Sequence, residues 1–171
     1  MQHQEFDPPE ELRDSITCFW HTRRDAGAEL SSFEVLPDGH AEIIFHFGGA
    51  CSVSRNGVMQ RLPSPFLVGL LEQPVHFYSK ERFEIIAIRC FPWTVFDLLG
   101  LSSGNSAVHT FEHPIARLQS TLATFVEAGR IEDAVAEVQQ YFLHARAQVA
   151  VDSMLYKAGV AMRNANGSLP V

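Results

Sequence analysis

The stretch V-L-P-D-G-H-A-E-I-I-F-H-F-G-G, Val35 to Gly49, sets His40, Glu42 and His46 on a run that otherwise reads as buried strand. Histidine and carboxylate side chains ligate a metal when they converge within a few ångströms; otherwise they serve as polar handles. On a strand, His40, Glu42, Ile44 and His46 share one face, and Ala41, Ile43, Phe45 and Phe47 share the other. His40 and His46 are six residues apart. At about 3.3 Å per residue that separates them by roughly 20 Å, so one ion cannot take both. His40 and Glu42 could share an ion with a residue of a neighbouring strand such as His76, but no spacing demonstrates it. The apolar set is core, and the polar set faces solvent or a ligand.

Other catalytic patterns are missing from the 171 residues: no G-x-S-x-G elbow, no Gly-rich phosphate loop and no H-E-x-x-H. His109 and His113 stand four apart in H-T-F-E-H-P, but Pro114 biases the residue before it away from helix. A helix entry in which Glu112 or Thr110 helps cap is expected there. Cys18, Cys51 and Cys90 are odd in number and widely spaced, which suits small buried apolar residues in a reducing compartment. The thirteen Phe, two Trp and three Tyr mostly fill a core, with a pocket lined by some of them as the minority reading.

The elements that must position these residues divide in two. From Ser15 to about Phe91, short alternating runs are broken by turn chemistry such as Pro37-Asp38-Gly39. The pair Asn56-Gly57 marks a two-residue hairpin. About seven or eight strands at near-regular spacing predict a sandwich or barrel. Pro92 then opens a short helix that Gly100 stops. Ile131, Ala134, Val135, Val138, Tyr141 and Phe142 give a clean 3,4 spacing on a later one, and a last helix spans about Val151 to Arg163. The class is mainly β with C-terminal helices (α+β).

Charge and hydropathy narrow the partners. Thirteen Lys and Arg against twenty Asp and Glu give −7, and neither half carries a basic stripe, so the chain alone is a poor binder of nucleic acid. No apolar run approaches the ~20 residues that span a bilayer, and no signal peptide is evident. A soluble, cytoplasmic protein without a membrane partner is expected.

The order I-T-C-F-W, V-L-P-D-G-H-A-E-I-I-F, V-G-L-L and I-A-I-R-C-F-P-W-T-V-F-D-L-L-G, followed by paired helices, resembles the N-terminal sensor domain of AraC-type transcriptional regulators. More narrowly, it is similar to the subgroup with P-D-G, a following acidic residue and apolar run, and a later R-F-x-P-like segment. The resemblance covers nearly the whole chain. It implies a cupin-like double-stranded β-helix barrel as a sensor region over residues 1–110. A helical dimerisation and linker region over 111–171 would lead to a helix-turn-helix domain absent from this chain. M-R-N-A-N-G-S-L-P-V looks like the entry to that part; a natural stop after a helix capped by Gly167 is the other reading. Catalytic cupins typically hold a metal with H-x-H and a following Glu, and H-A-E keeps only the first His. Glu42 matches the acidic position usual in the subgroup, which implies a structural or effector-contacting role.

The expectation is therefore a non-catalytic sensing and dimerising domain with no cofactor and no metal. An unidentified small-molecule effector would bind inside the barrel, contacted by Trp20 and Phe77, with His40, Glu42 or His76 as polar handles. Ala41, Ile43, Phe45 and Phe47 would fill the barrel interior, with the helices from about residue 113 packed outside. A twofold homodimer would form through Val138, Tyr141 and Phe142 and through Val151, Met154, Leu155, Ala158 and Met162. DNA would be reached only through the missing domain. Two alternatives stand beside this: a small cupin-type enzyme with a metal at His40, Glu42 and His76, and a stand-alone ligand-binding protein.

Overall fold

The computed structural model describes residues 2–24, 31–55, 57–79, 82–101, 107–148 and 154–165. Among them nine strands come before the first α-helix: β1 (Gln2–Phe6), β2 (Ile16–Arg24), β3 (Ser31–Val35), β4 (Ala41–Gly48), β5 (Ser52–Arg55), β6 (Val58–Arg61), β7 (Phe66–Val68), β8 (Val75–Ser79) and β9 (Phe83–Cys90). Helix α1 (Pro92–Leu99), strand β10 (Val108–His109) and helices α2 (Leu118–Glu127), α3 (Ile131–Gln148) and α4 (Met154–Asn164) complete the order. The strands form a six-stranded sheet, β1-β2-β9-β4-β7-β10, and a four-stranded sheet, β3-β8-β5-β6, with antiparallel pairing throughout. The mainly β class with helices to the C-terminal side is thus observed.

Local chemistry sets the turns. Arg55 pairs with Val58 across a two-residue turn in which Gly57 takes φ +77°, a left-handed value glycine adopts without Cβ strain. Asn56, the other half of that signal, lies outside the described residues. Pro92 occupies the start of α1, where its missing N–H costs nothing, and Gly100 ends the helix in the left-handed region at φ +62°. The cap after His109 differs from expectation. His113 itself, and not Glu112 or Thr110, accepts the Ile115 N–H on its Nδ1 at 3.2 Å. A 3-10 turn, Pro114–Arg117, then feeds α2.

The six-stranded sheet is covered on both faces. One face carries Phe19, Ile43, Phe45, Phe47, Ile86 and Ile88, packed in a single core with Leu122, Val135, Val138 and Phe142 of the helices. The other carries Ile44, Phe66, Ile85 and Ala87 against Val53 and Phe77 of the smaller sheet. Ring contacts join the two sheets, Phe66 to Phe77 at 5.2 Å and Phe33 to Phe83 at 5.6 Å. Ala41, Ile43, Phe45 and Phe47 are therefore buried as expected, but under the helices. The space between the sheets is bounded by the opposite face of β4, which bears Glu42, Ile44 and His46.

This layering also bears on the residues expected at a dimer interface. Val138 and Phe142 are fully buried within the chain, so the apolar face of α3 is consumed by its own sheet. Tyr141 is half-buried beside them. On α4, Met154, Ala158 and Met162 are exposed. Val151 and the side chain of Leu155 lie outside the described residues.

Candidate functional site

The central position of β4 gives Glu42 its surroundings. It lies opposite Arg89 on β9 and Val68 on β7, and Arg89 lies opposite Cys18 on β2. Trp20, Ala87, Ile44 and Phe66 form the next row of the same face. Cross-strand neighbours of this kind bring together residues distant in sequence. The Glu42 side chain is 8 % exposed, and among the described residues it has two polar partners. The Trp20 indole N–H donates to Oε1 at 3.4 Å, and Arg89 Nη1 stands 4.0 Å from the same oxygen. Arg89 commits its other terminal nitrogen, Nη2, to Asp38 Oδ2. Asp38 also accepts the His40 backbone N–H on Oδ1 at 3.0 Å, and the His40 ring turns back on the Asp38 carbonyl at 3.1 Å.

Burial raises the Glu42 carboxyl above its ordinary value, and the Arg89 charge and Trp20 hydrogen bond only partly offset that. Cys18 sits at the same wall with its thiol pushed up to about 11, first by burial and then by Glu5, so it is protonated at neutral pH. The site is thus a buried carboxylate with weak donors, a neutral thiol and an indole, with a guanidinium at its edge.

Of the five expected contact residues, Trp20 and Glu42 meet directly and His40 joins them through Asp38. Phe77 is fully buried on the opposing sheet, stacked on Phe33 at 4.9 Å. His76 is not brought in. It lies next to Phe77 on β8 and so points to the outer face, where it is half exposed and 3.3 Å from Glu34. His76 therefore cannot join His40 and Glu42 around one ion. Among the described residues no three His, Cys, Asp or Glu side chains converge as metal ligands. Sequence reasoning missed Arg89 and Asp38. The available signal was a charged residue inside the apolar strand F-E-I-I-A-I-R-C, because such a residue must find a partner.

A cavity of about 680 Å³ lies at the other end of β4, lined by His46, Gly48, Arg61, Arg82, Glu84 and Gln119 among others. Gly48 is required there. Its φ is +87°, and a Cβ would stand 2.6 Å from the Arg82 carbonyl oxygen. Ser64 ties the cavity wall to α2: its Oγ accepts the His46 N–H at 2.8 Å and donates to Gln119 Oε1 at 2.6 Å. Gln119 returns an N–H to the His46 carbonyl at 3.1 Å. Buried Glu84 is held by His21 at 3.0 Å and Arg82 at 2.8 Å. Burial lowers the His46 pKa, which keeps the ring neutral, and its Nε2 has no hydrogen-bond partner among the described residues.

A family model described as a domain of unknown function (DUF6597) matches residues 4–111. No curated protein matches the chain. Among solved structures, ToxT from Vibrio cholerae O395 is similar with a TM-score of 0.43 and 12% identity, over 85% of this chain and 63% of that one. ToxT bound to (E)-4-(8-methylnaphthalen-1-yl)but-3-enoic acid gives 0.40 and 10%, over 84% and 64%. CuxR, described as an AraC-like transcriptional activator, gives 0.38 and 14%, over 98% of this chain and 72% of that one. The chain spans less than two thirds of the length of ToxT. No helix among the described residues is long and apolar enough to cross a membrane.

Proposed function

The chain belongs to the family described as a domain of unknown function (DUF6597), and from that premise we propose that it is the ligand-sensing and self-associating domain of an AraC-type transcriptional regulator. It has no catalysis of its own and acts in the cytoplasm. It controls DNA binding by a helix-turn-helix unit outside these 171 residues. Residues 1–110 serve as the cupin-like sensor region and residues 111–171 as the helical dimerisation and linker region. The order of the P-D-G turn, Glu42 and the R-C-F-P segment supports this reading.

The observation that carries the sensing role is Glu42. Among the described residues this buried carboxylate has one long hydrogen bond and an ion pair at 4.0 Å, fewer than the acceptor sites a carboxylate offers. A small molecule with hydroxyl or amine donors would complete its hydrogen bonding, stacked against Trp20. A thermal-shift screen of small metabolites on the 171-residue protein tests it. Titration of a hit against Trp20→Ala is expected to show affinity at least tenfold weaker, about 1.4 kcal/mol. Unchanged affinity there would place the effector elsewhere.

Self-association runs through α4 in this proposal. Met154, Ala158, Ala161 and Met162 are all exposed and recur at helical spacing, with Met154 87% and Met162 56% accessible. The same stripe on a second copy is its natural complement, since a twofold interface uses one patch twice. Sedimentation at micromolar concentration is expected to show a dimer that Met154→Glu with Met162→Glu converts to monomer without loss of helicity. A wild-type monomer at those concentrations would sink the idea.

A further inference from the structure

Among the described residues, helix α4 meets the rest of the chain through Tyr156, Gly159 and Arg163. Tyr156 Oη and Arg146 Nη2 each donate to Asp14 Oδ2 at 2.6 Å. Gly159 lies flush on Trp93, so that a Cβ there would stand 2.3 Å from the ring. Arg163 sets its guanidinium 5.2 Å from the centre of the Phe91 ring, and that ring is stacked on Trp93 at 4.8 Å. Phe91 also meets the His40 ring at 5.6 Å. His40 is bonded to Asp38, Asp38 to Arg89, and Arg89 faces Glu42. Physical contact is therefore continuous from the buried carboxylate to the last described helix.

Resting on the reading of Glu42 as an effector contact, we propose that Asp38 and Arg89 are a switch that couples occupancy of the inner face to the docking of α4. Arg89 stands between two carboxylates and in this structure is committed to Asp38, with Glu42 farther off. A polar ligand beside Glu42 that offers an acceptor of its own draws the guanidinium inward. That move is the differential contact a ligand needs in order to shift an equilibrium. Asp38 then loses its cation, the Pro37-Asp38-Gly39 turn and His40 lose their anchor, and the Phe91–Trp93 platform under Arg163 and Gly159 loosens. The two-state element is α4 itself, docked or released, and a spatial path counts as coupling only if such an element responds. Couplings of this type change an equilibrium by roughly five- to 150-fold.

The test needs no effector, so it stands apart from the Trp20→Ala titration: a domain that binds nothing at Glu42 still reports whether Asp38 holds α4. Asp38→Asn removes the charge, yet its amide oxygen can still accept the His40 N–H and keep the turn. Amide hydrogen exchange on the 171-residue protein is expected to show α4 opening at least tenfold more often in Asp38→Asn. The amides of Val138 and Phe142 in α3, the internal reference for global unfolding, keep their wild-type rates. Gly159→Ala, which blocks docking on Trp93, gives the same α4 pattern. Arg163→Ala combined with Asp38→Asn opens α4 no more than the faster single variant, because both act on one link. The proposal is overturned if Asp38→Asn stays within twofold of wild type. It also falls if Gly159→Ala leaves α4 protected, or if the Asp38 and Arg163 effects multiply.

Discussion

Phe142→Ala is expected to cost about 3–5 kcal/mol of folding stability, the range for truncating a fully buried aromatic. Phe142 is completely enclosed. It meets Phe19 of β2 edge-on at 6.5 Å and Tyr141 at 6.0 Å, and it shares a core with Phe45, Ile86 and Ile88. Losing the ring leaves a cavity between α3 and the sheet, which the close-packed surroundings can only partly fill. Urea denaturation followed by circular dichroism reads the loss as a lower midpoint at unchanged slope. The experiment also separates two roles for α3. If Phe142 belonged to a dimer interface, truncation would dissociate the dimer while the monomer's unfolding free energy changed by less than about 1 kcal/mol.

The reason α3 looked available lies in what periodicity can tell. A 3,4 spacing announces one apolar face but not whether a sheet or another molecule covers it. The same limit applies to β4. Alternation there marks a strand, yet Ala41 through Phe45 are all buried because both faces of the sheet are covered, one by helices and one by the second sheet. Nothing in A-E-I-I-F-H-F tells which buried face looks toward which layer. Strand β1, Q-H-Q-E-F, was not legible at all, since it is largely exposed and among the described residues it pairs with β2 alone. Strong punctuation was legible: Gly57 in its hairpin, and Pro92 and Gly100 bounding α1, are fixed by local backbone chemistry. In the site, Glu42 stood out as the carboxylate within A-E-I-I-F-H-F, on the same face as His40 and at the acidic position of the subgroup the chain resembles. Its link to Arg89 and Asp38, and the exile of His76 to the outer face, depend on registers between strands far apart in the chain.

Glu42→Gln is expected to stabilise the protein at neutral pH by roughly 1–3 kcal/mol, the scale of desolvating a buried polar group that its partners only partly compensate. The magnitude belongs at the low end, because Arg89 and Trp20 partly compensate the charge. The pH dependence gives the sign. Burial raises the folded carboxyl above its ordinary 4.5, so the folded state keeps a proton that the unfolded chain has already released. The stability from that proton is complete below the unfolded pKa and is lost as pH rises through the folded one. Glutamine carries no such proton, yet its amide oxygen still accepts from Trp20. Wild-type and variant stabilities should therefore run parallel below about pH 4.5 and separate above it, with the variant higher. Urea midpoints measured from pH 4 to 8 check this. A variant less stable than wild type at pH 8 would mean that the ion pair with Arg89 outweighs desolvation and that Glu42 is a structural residue. The expected order carries the functional meaning, because a residue that lowers stability where it sits contributes something other than folding. The same Glu42→Gln protein should then bind an effector at least tenfold more weakly while unfolding at higher urea, two changes of opposite sign from one carboxylate.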